Sequence, residues 1–370
     1  MALTNAHNAH NAHNAHNAHN AHGVGSSVIA EETLSTALII AREGIAEADP
    51  PPPSKPEAVT LEPLKRLRRI EPQFAQAILL FDMLETLTVT PPPTDKQAKK
   101  TKVEAKLEKR NTPLLTIDLP SDDNFAEELK LVLGYADLRP ERLAEITVQT
   151  VELDSFFLSI LPLKPRRAPV TEMLMTMVAD LATSVVQCVK LNFAMPRAEM
   201  FSDQVQPMIP TPLHGSYPSG HATQAFALAM LLAILTRKDP DKPVEIHPDS
   251  QLFRMAARIA INRTVAGVHF PIDSVAGAVL GITLARWVAS RAGVTGEPCP
   301  ALTLHANRWG ETAPNGSRDF YLARLCEVMN KKKGKQDPCL TIGDPVTAPV
   351  SNMLRECWAE AGKEWRNRWI

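Results

Sequence analysis

The sequence predicts an all-α protein, a helical bundle, on three observations. Apolar residues recur at helical spacing through several segments between Leu143 and Ser290. Sustained apolar/polar alternation is hard to find, and valine and threonine do not gather into short strand-like runs. Two segments, Ala222 to Thr236 and Ser274 to Val288, are apolar nearly all round, as the central helices of a bundle are.

The elements follow in chain order. Asn-Ala-His repeats six times from Asn5 to His22, so residues 1–27 read as an affinity tag and linker. Residues 28–110 read as an N-terminal extension, helical and Pro-rich. Pro50 to Pro53 cannot lie inside a helix or sheet, while Leu61 to Leu87 is moderately apolar and predicts helix. Pro91 to Pro93 precede the lysine-rich stretch Thr94 to Arg110, where glutamates alternate with the lysines. That stretch predicts a solvated linker or an exposed charged helix.

Residues 111–293 read as the core bundle. Leu143, Ile146, Thr150, Leu153, Phe157 and Ile160 predict one helix, stopped by Pro162 and Pro165. Leu174, Val178, Leu181, Val185 and Cys188 predict the next, with Thr171 as N-cap and Lys190 at its end. Helices over Ala222 to Leu235, Leu252 to Ile261 and Asp273 to about Ser290 complete the bundle. Residues 294–370 read as a C-terminal extension with helices near Phe320 to Lys331 and Val350 to Trp369.

Bulk properties exclude some classes of function. The formal net charge is -1, so no overall field draws nucleic acid or an anionic membrane. The apolar runs of the core fall short of the ~20 residues a bilayer requires, so no membrane span is expected. The five cysteines lack Cys-x-x-Cys spacing and fit a reduced, cytoplasmic compartment. The tag covers the native start, which leaves a periplasmic or secreted origin open.

Beyond the tag, five histidines remain: His214, His221, His247, His269 and His305. His221 lies in Tyr217-Pro218-Ser219-Gly220-His221-Ala222-Thr223-Gln224, where an apolar helix begins. The first amides of a helix lack intrahelical partners and sit at the positive end of its dipole. Gly220 lets a ligand approach the backbone, and Ser219 adds a hydroxyl, although a plain N-cap serine would give the same turn.

Further on, Arg263 precedes His269 by six residues, and Asp273 follows it by four. Pro271 breaks the helix between them and leaves Asp273 at a helix start, so its carboxylate can fold back to the imidazole, fix its tautomer and leave the other nitrogen as nucleophile or ligand. Lys190 and Arg197, seven apart, lie just upstream of the Ser-Gly-His turn. Two arginines and a lysine can neutralise a trianionic ligand or a trigonal-bipyramidal transition state.

These three segments resemble the signature of the type-2 phosphatidic acid phosphatase and vanadium haloperoxidase superfamily: Lys-x6-Arg-Pro, Pro-Ser-Gly-His, and Ser-Arg-x5-His-x3-Asp. Here Ala198 stands in place of the proline and Asn262 in place of the serine, and no charged or nucleophilic group is lost. The resemblance covers residues 190 to 273.

It implies a helical bundle of the haloperoxidase and acid phosphatase type, with an oxyanion held by Lys190, Arg197, Ser219, Gly220, Arg263 and His269. In the haloperoxidase branch the cofactor is vanadate, with His269 as metal ligand and His221 assisting proton transfer; hydrogen peroxide, halide and a small organic molecule are the substrates. In the phosphatase branch phosphate occupies the same site, and His269 forms a phosphohistidine while His221 protonates the leaving group. His214, seven residues before His221, resembles a histidine of the bromoperoxidases and favours that branch, bromide or iodide being the halide. The alternatives are a phosphomonoesterase and a non-catalytic helical assembly protein. Prolines and long helices near the start are compatible with subunit wrapping in a homo-oligomer.

Overall fold

The computed structural model describes residues 28–43, 63–90, 99–107, 110–161, 167–331 and 337–366. The expectations for the tag and for the prolines at 50–53, 91–93, 162 and 165 fall outside these residues. The chain divides into two compact units, residues 1–61 and residues 62–370. In the first, helix α1 (Val28–Glu43) exposes Leu34, Leu38, Ile39 and Ile40.

The second unit is mixed α/β, which corrects the all-α expectation. Strands β1 (Leu87–Val89), β2 (Lys100–Leu107), β3 (Arg110–Asp118), β4 (Pro300–Leu304) and β5 (Leu340–Pro345) form one sheet in the order β1-β2-β3-β4-β5. All neighbours are antiparallel except β3 and β4, which run parallel with Leu115 opposite Leu302. The lysine-rich stretch thus contains a strand, because its period is two. Thr101, Val103 and Ala105 are buried while Lys100, Lys102 and Lys106 point to solvent. A composition that looks solvated conceals one apolar face.

Helices account for most of the rest of this unit. Leu61 to Leu87 resolves into α2 (Pro63–Leu67) and α3 (Pro72–Leu84). α4 (Asp122–Gly134) follows β3. The single helix expected from Leu143 to Ile160 is two, α5 (Arg139–Val148) and α6 (Asp154–Leu158), because the chain turns between Gln149 and Leu153. α7 (Pro169–Phe193) starts two residues before the expected Thr171 cap. Its first amides are satisfied by Glu364 of the last helix, α12 (Asn352–Arg366), which accepts from Val170 N (2.9 Å) and Thr171 N (2.8 Å). The remaining helices are α8 (Gly220–Thr236), α9 (Gln251–Val265), α10 (Pro271–Arg291) and α11 (Leu322–Met329).

α8 and α10 form the centre, and glycines set their approach. A Cβ on Gly281 would lie 2.2 Å from Thr223 O, and one on Gly277 2.5 Å from Ser219 O. Only glycine lets the two backbones come this close. α7 and α10 are long and apolar enough to cross a membrane by length and composition, which departs from the expectation of no such segment. The α10 window is wholly buried within the protein, as a core helix is.

Glu128 on α4 fixes the start of α10. Its carboxylate accepts from Ile272 N (2.9 Å) and pairs with Arg318 (3.0 Å). Burial pushes the Glu128 carboxyl up to about 8 despite Arg318. Removing one partner of such a buried pair typically costs about 3–5 kcal/mol.

Candidate active site

α7 delivers Lys190 in its last turn and ends on Ala194 in the left-handed region (φ 46°), which reverses the chain toward Arg197. The Lys190 ammonium donates to Gly215 O (2.6 Å) and Ser216 O (2.7 Å), pinning the loop that leads into α8. Arg197 donates to Val268 O (2.6 Å) and His214 O (3.3 Å). Its Nη2 also lies 3.2 Å from His214 Nδ1, a ring nitrogen that sits at the same distance from Gly215 O. The two basic residues therefore tie the loop before α8 to the loop before α10.

Ser219 caps α8, its Oγ accepting from Ala222 N at 3.3 Å. Gly220 is the first helical residue. A Cβ there would meet only Val186 and Lys190 side chains, at 3.9 and 4.0 Å. Protein packing thus leaves room for an alanine, and the open space lies at a helix N-terminus, where an anion is favoured.

The start of α10 carries the imidazole–carboxylate pair. His269 Nδ1 donates to Asp273 Oδ2 at 2.8 Å, leaving Nε2 with the lone pair. The same carboxylate oxygen accepts from Phe270 N (3.0 Å) and from the Ser216 hydroxyl. Ser219 N in turn donates to Asp273 O (2.8 Å), locking the two helix starts together.

Arg263 occupies the last turn of α9, fully buried. Nη2 donates to Gln149 Oε1 (2.8 Å) and more weakly to Ile146 O (3.4 Å). Among the described residues its Nε and Nη1 have no partner. An unsatisfied buried donor costs about 1–3 kcal/mol, more for a charged group. His221 Nε2 donates to Gln149 O at 2.9 Å, so in the neutral ring the lone pair sits on Nδ1.

The electrostatics are those of a positive site. Among the described residues, Lys190, Arg197 and Arg263 donate to backbone carbonyls and an amide and form no ion pair with a carboxylate. Burial and then the Arg263 charge push His221 down to about 3. Burial, Arg197 and Lys190 hold His269 well below the usual imidazole range. Burial raises Asp273 to about 6, against the Ser216 hydrogen bond and the Lys190 charge. Arg263 is lowered to about 10 by burial alone. Each cation and imidazole thus gains if an anion arrives.

The expected residues fall in two connected groups. Lys190, Arg197, His214, His269 and Asp273 meet through the loops before α8 and α10. Arg263 and His221 meet at Gln149. His214 sits at the rim, exposed, with burial of its inner side and Lys190 pushing it down to about 4. It lines a groove of about 860 Å³ with Lys190, Arg197, Leu191, Met200 and Leu213. His221 lines a smaller cleft of about 230 Å³ with Gln149, Glu152, Asp154 and Gln224.

Two residues absent from the sequence reading belong here. Ser216 stands inside the Gly-Ser-Tyr-Pro-Ser-Gly-His run, and its hydroxyl, three residues before Ser219, was the available signal. Gln149 had none: it lies 114 residues from Arg263 in a turn that the apolar periodicity ran straight through. Asn262, in place of the superfamily's serine, donates to Gln149 Oε1 (3.1 Å) and Glu145 (3.1 Å) and so braces the same carboxamide.

Residues 135–296 match the sequence model of the PAP2 superfamily. A stretch of 94 residues is 31% identical to a vanadium-dependent bromoperoxidase of Ascophyllum nodosum, covering 20% of this chain and 17% of that protein. The match to the superfamily takes in the whole site from Lys190 to Asp273 together with Gln149, and residues 135–296 of this chain are a PAP2-superfamily domain.

Proposed function

We propose that this domain is an enzyme that holds a tetrahedral oxyanion among Lys190, Arg197, Arg263, the Gly220 amide and His269, and that it acts as a vanadate-dependent haloperoxidase. The observation that carries the oxyanion site is Arg263: a buried guanidinium whose Nε and Nη1 have no partner among the described residues, where Lys190 and Arg197 likewise form no ion pair with a carboxylate. The open position at Gly220 Cβ and the lone pair on His269 Nε2 suit the same ligand. These residues fit vanadate. When bound, it supplies a Lewis acid that activates hydrogen peroxide toward halide without a change of metal oxidation state.

The protein's own part is electrostatic and protonic. Lys190, Arg197 and Arg263 would hold the anion and neutralise its charge. Asp273, held by Ser216 and Phe270 N, keeps His269 in the tautomer that presents Nε2. His221, neutral at pH 7, takes or returns a proton at Nδ1, since Nε2 is committed to Gln149. His214, against Arg197 at the rim, and the likeness to the bromoperoxidase favour bromide or iodide with a small organic acceptor.

One observation favours a second reading. The His269–Asp273 pair is also the arrangement for nucleophilic attack on phosphorus, with His269 Nε2 forming a phosphohistidine and His221 protonating the leaving group. A single vanadate titration, read in a bromide-oxidation assay and a phosphomonoester assay, separates the two. Bromide oxidation that rises with vanadate supports the first; phosphatase activity that vanadate inhibits supports the second. Failure to bind either anion leaves the non-catalytic reading.

A further inference from the structure

Gln149 joins Arg263 to His221 in one half of the site, and one of its atoms is left over. Its backbone carbonyl holds His221 Nε2 at 2.9 Å. Its Oε1 accepts from Arg263 Nη2 at 2.8 Å and from Asn262 Nδ2 at 3.1 Å. Both partners are donors only at those atoms, so the orientation of the carboxamide is fixed: the atom facing them is oxygen. The other, Nε2, is then a donor of two hydrogens. It is buried, and among the described residues it has no acceptor. Gln149 as a whole is 1% exposed and lines the cleft that His221 also lines.

Three buried donors without acceptors therefore cluster at one contact: Gln149 Nε2, Arg263 Nε and Arg263 Nη1. A buried carboxamide whose nitrogen found no use would be replaced at lower cost by an apolar side chain if it served packing alone. Here the oxygen is consumed in aiming Arg263, and the nitrogen of the same carboxamide stays a donor next to a guanidinium that is itself short of acceptors. Tetrahedral oxyanions offer several acceptor oxygens in different directions and can take both.

We propose that Gln149 is a binding residue for the oxyanion, its Nε2 donating to an oxygen of the ligand that Arg263 also contacts, while its two oxygens position Arg263 and His221. The assignment rests on reading the site as an oxyanion site. Its chemistry is that of a neutral donor: it recognises an oxygen without adding charge, and so it sharpens geometry where the three cations supply attraction.

The test uses inorganic phosphate and vanadate as separate probes of the full chain. Affinity is measured by calorimetry for the wild type, Gln149→Met, Gln149→Glu and, as a reference, Arg197→Ala. Loss of one donor to an anion corresponds to a drop of roughly 10- to 100-fold in affinity for Gln149→Met. Gln149→Glu keeps both acceptor oxygens for Arg263 and Asn262 but removes the donor, and the expected loss is at least as large. The side-chain amide of Gln149 is followed in parallel in wild-type protein labelled with 15N-glutamine and assigned by its absence in the variants. Its signal shifts on phosphate addition if Nε2 meets the anion.

A wild type that binds while the amide signal stays put, with Gln149→Met within twofold of it, overturns this assignment alone. A wild type that binds neither anion overturns the oxyanion reading and this assignment with it. Either variant alone assigns the amide signal, so the wild-type shift stays readable if the other fails to fold.

Discussion

At the scale of single residues, the site works by leaving positive groups short of partners. His221 and His269 are both held below the ordinary imidazole range, by burial first and by Arg263, Arg197 and Lys190 next. A bound anion offsets those charges and raises both imidazoles, and it raises Asp273 above its present value of about 6. Each group then binds more protons in the liganded state than in the free one, so binding takes up protons. Affinity must strengthen as pH falls, by at most tenfold per unit for each proton taken up. Sulfate, which does not titrate between about pH 8 and pH 5, is the clean probe. Calorimetry in buffers of different ionisation enthalpy should show proton uptake; affinity that is flat or weakens toward low pH contradicts the assignment of charges. The tautomer argument predicts a separate effect. Asp273→Asn should lower turnover by roughly 10²–10⁴-fold, as the loss of an orienting carboxylate does elsewhere, yet leave sulfate affinity within a few fold. Equal losses in both would place Asp273 in binding rather than orientation.

At the scale of elements, the site exists because helix starts are brought together. Ser219 N donates to Asp273 O, and Gly277 and Gly281 let α10 lie directly on α8. A Cβ at Gly281 has no flexible side chain to displace, only the Thr223 carbonyl and the Ala227 amide. Gly281→Ala is therefore expected to destabilise by about 1–3 kcal/mol through overpacking. Denaturant unfolding checks this, and an unchanged midpoint would mean that the helices can part without penalty. Much of this layer was legible from sequence. Helices 7 to 10 follow from their apolar spacing, and Lys190, Ser219, Arg263 and Asp273 each fall at a helix end, where a terminus carries unpaired polar groups. The sheet was not legible. In β2 the inward residues are Thr101, Val103 and Ala105, too small and too weakly apolar to stand out among lysines, and β3 and β4 are partners separated by about half the chain. Gln149 was hidden for a related reason: it acts from a turn between two short helices that an unbroken periodicity overran.

At the scale of the whole unit, distant segments hold the frame from outside the motif. Tyr217 OH donates to Asp118 O at 2.9 Å, fastening the loop before α8 to the end of β3. Glu364, from the last helix, satisfies the first amides of α7 and the Thr171 hydroxyl. Because α7 ends in Lys190, the far end of the chain supports one wall of the site. Glu364→Ala should cost about 1–2 kcal/mol of stability, the usual worth of a helix cap, with little change in kcat once the protein is folded. A fall in kcat without a fall in melting temperature would show that the cap acts on the site itself.

Lys190, Arg197 and Arg263, buried and with no carboxylate partner among the described residues, are proposed to hold a tetrahedral oxyanion. Equilibrium dialysis against vanadate, with phosphate as competitor, measures this directly on wild type and on Arg263→Ala. The expected result is one vanadate per chain, displaced by phosphate, and a loss of binding in the variant. Wild-type protein that retains no vanadate, or an Arg263→Ala protein that binds it as well as wild type, would contradict it.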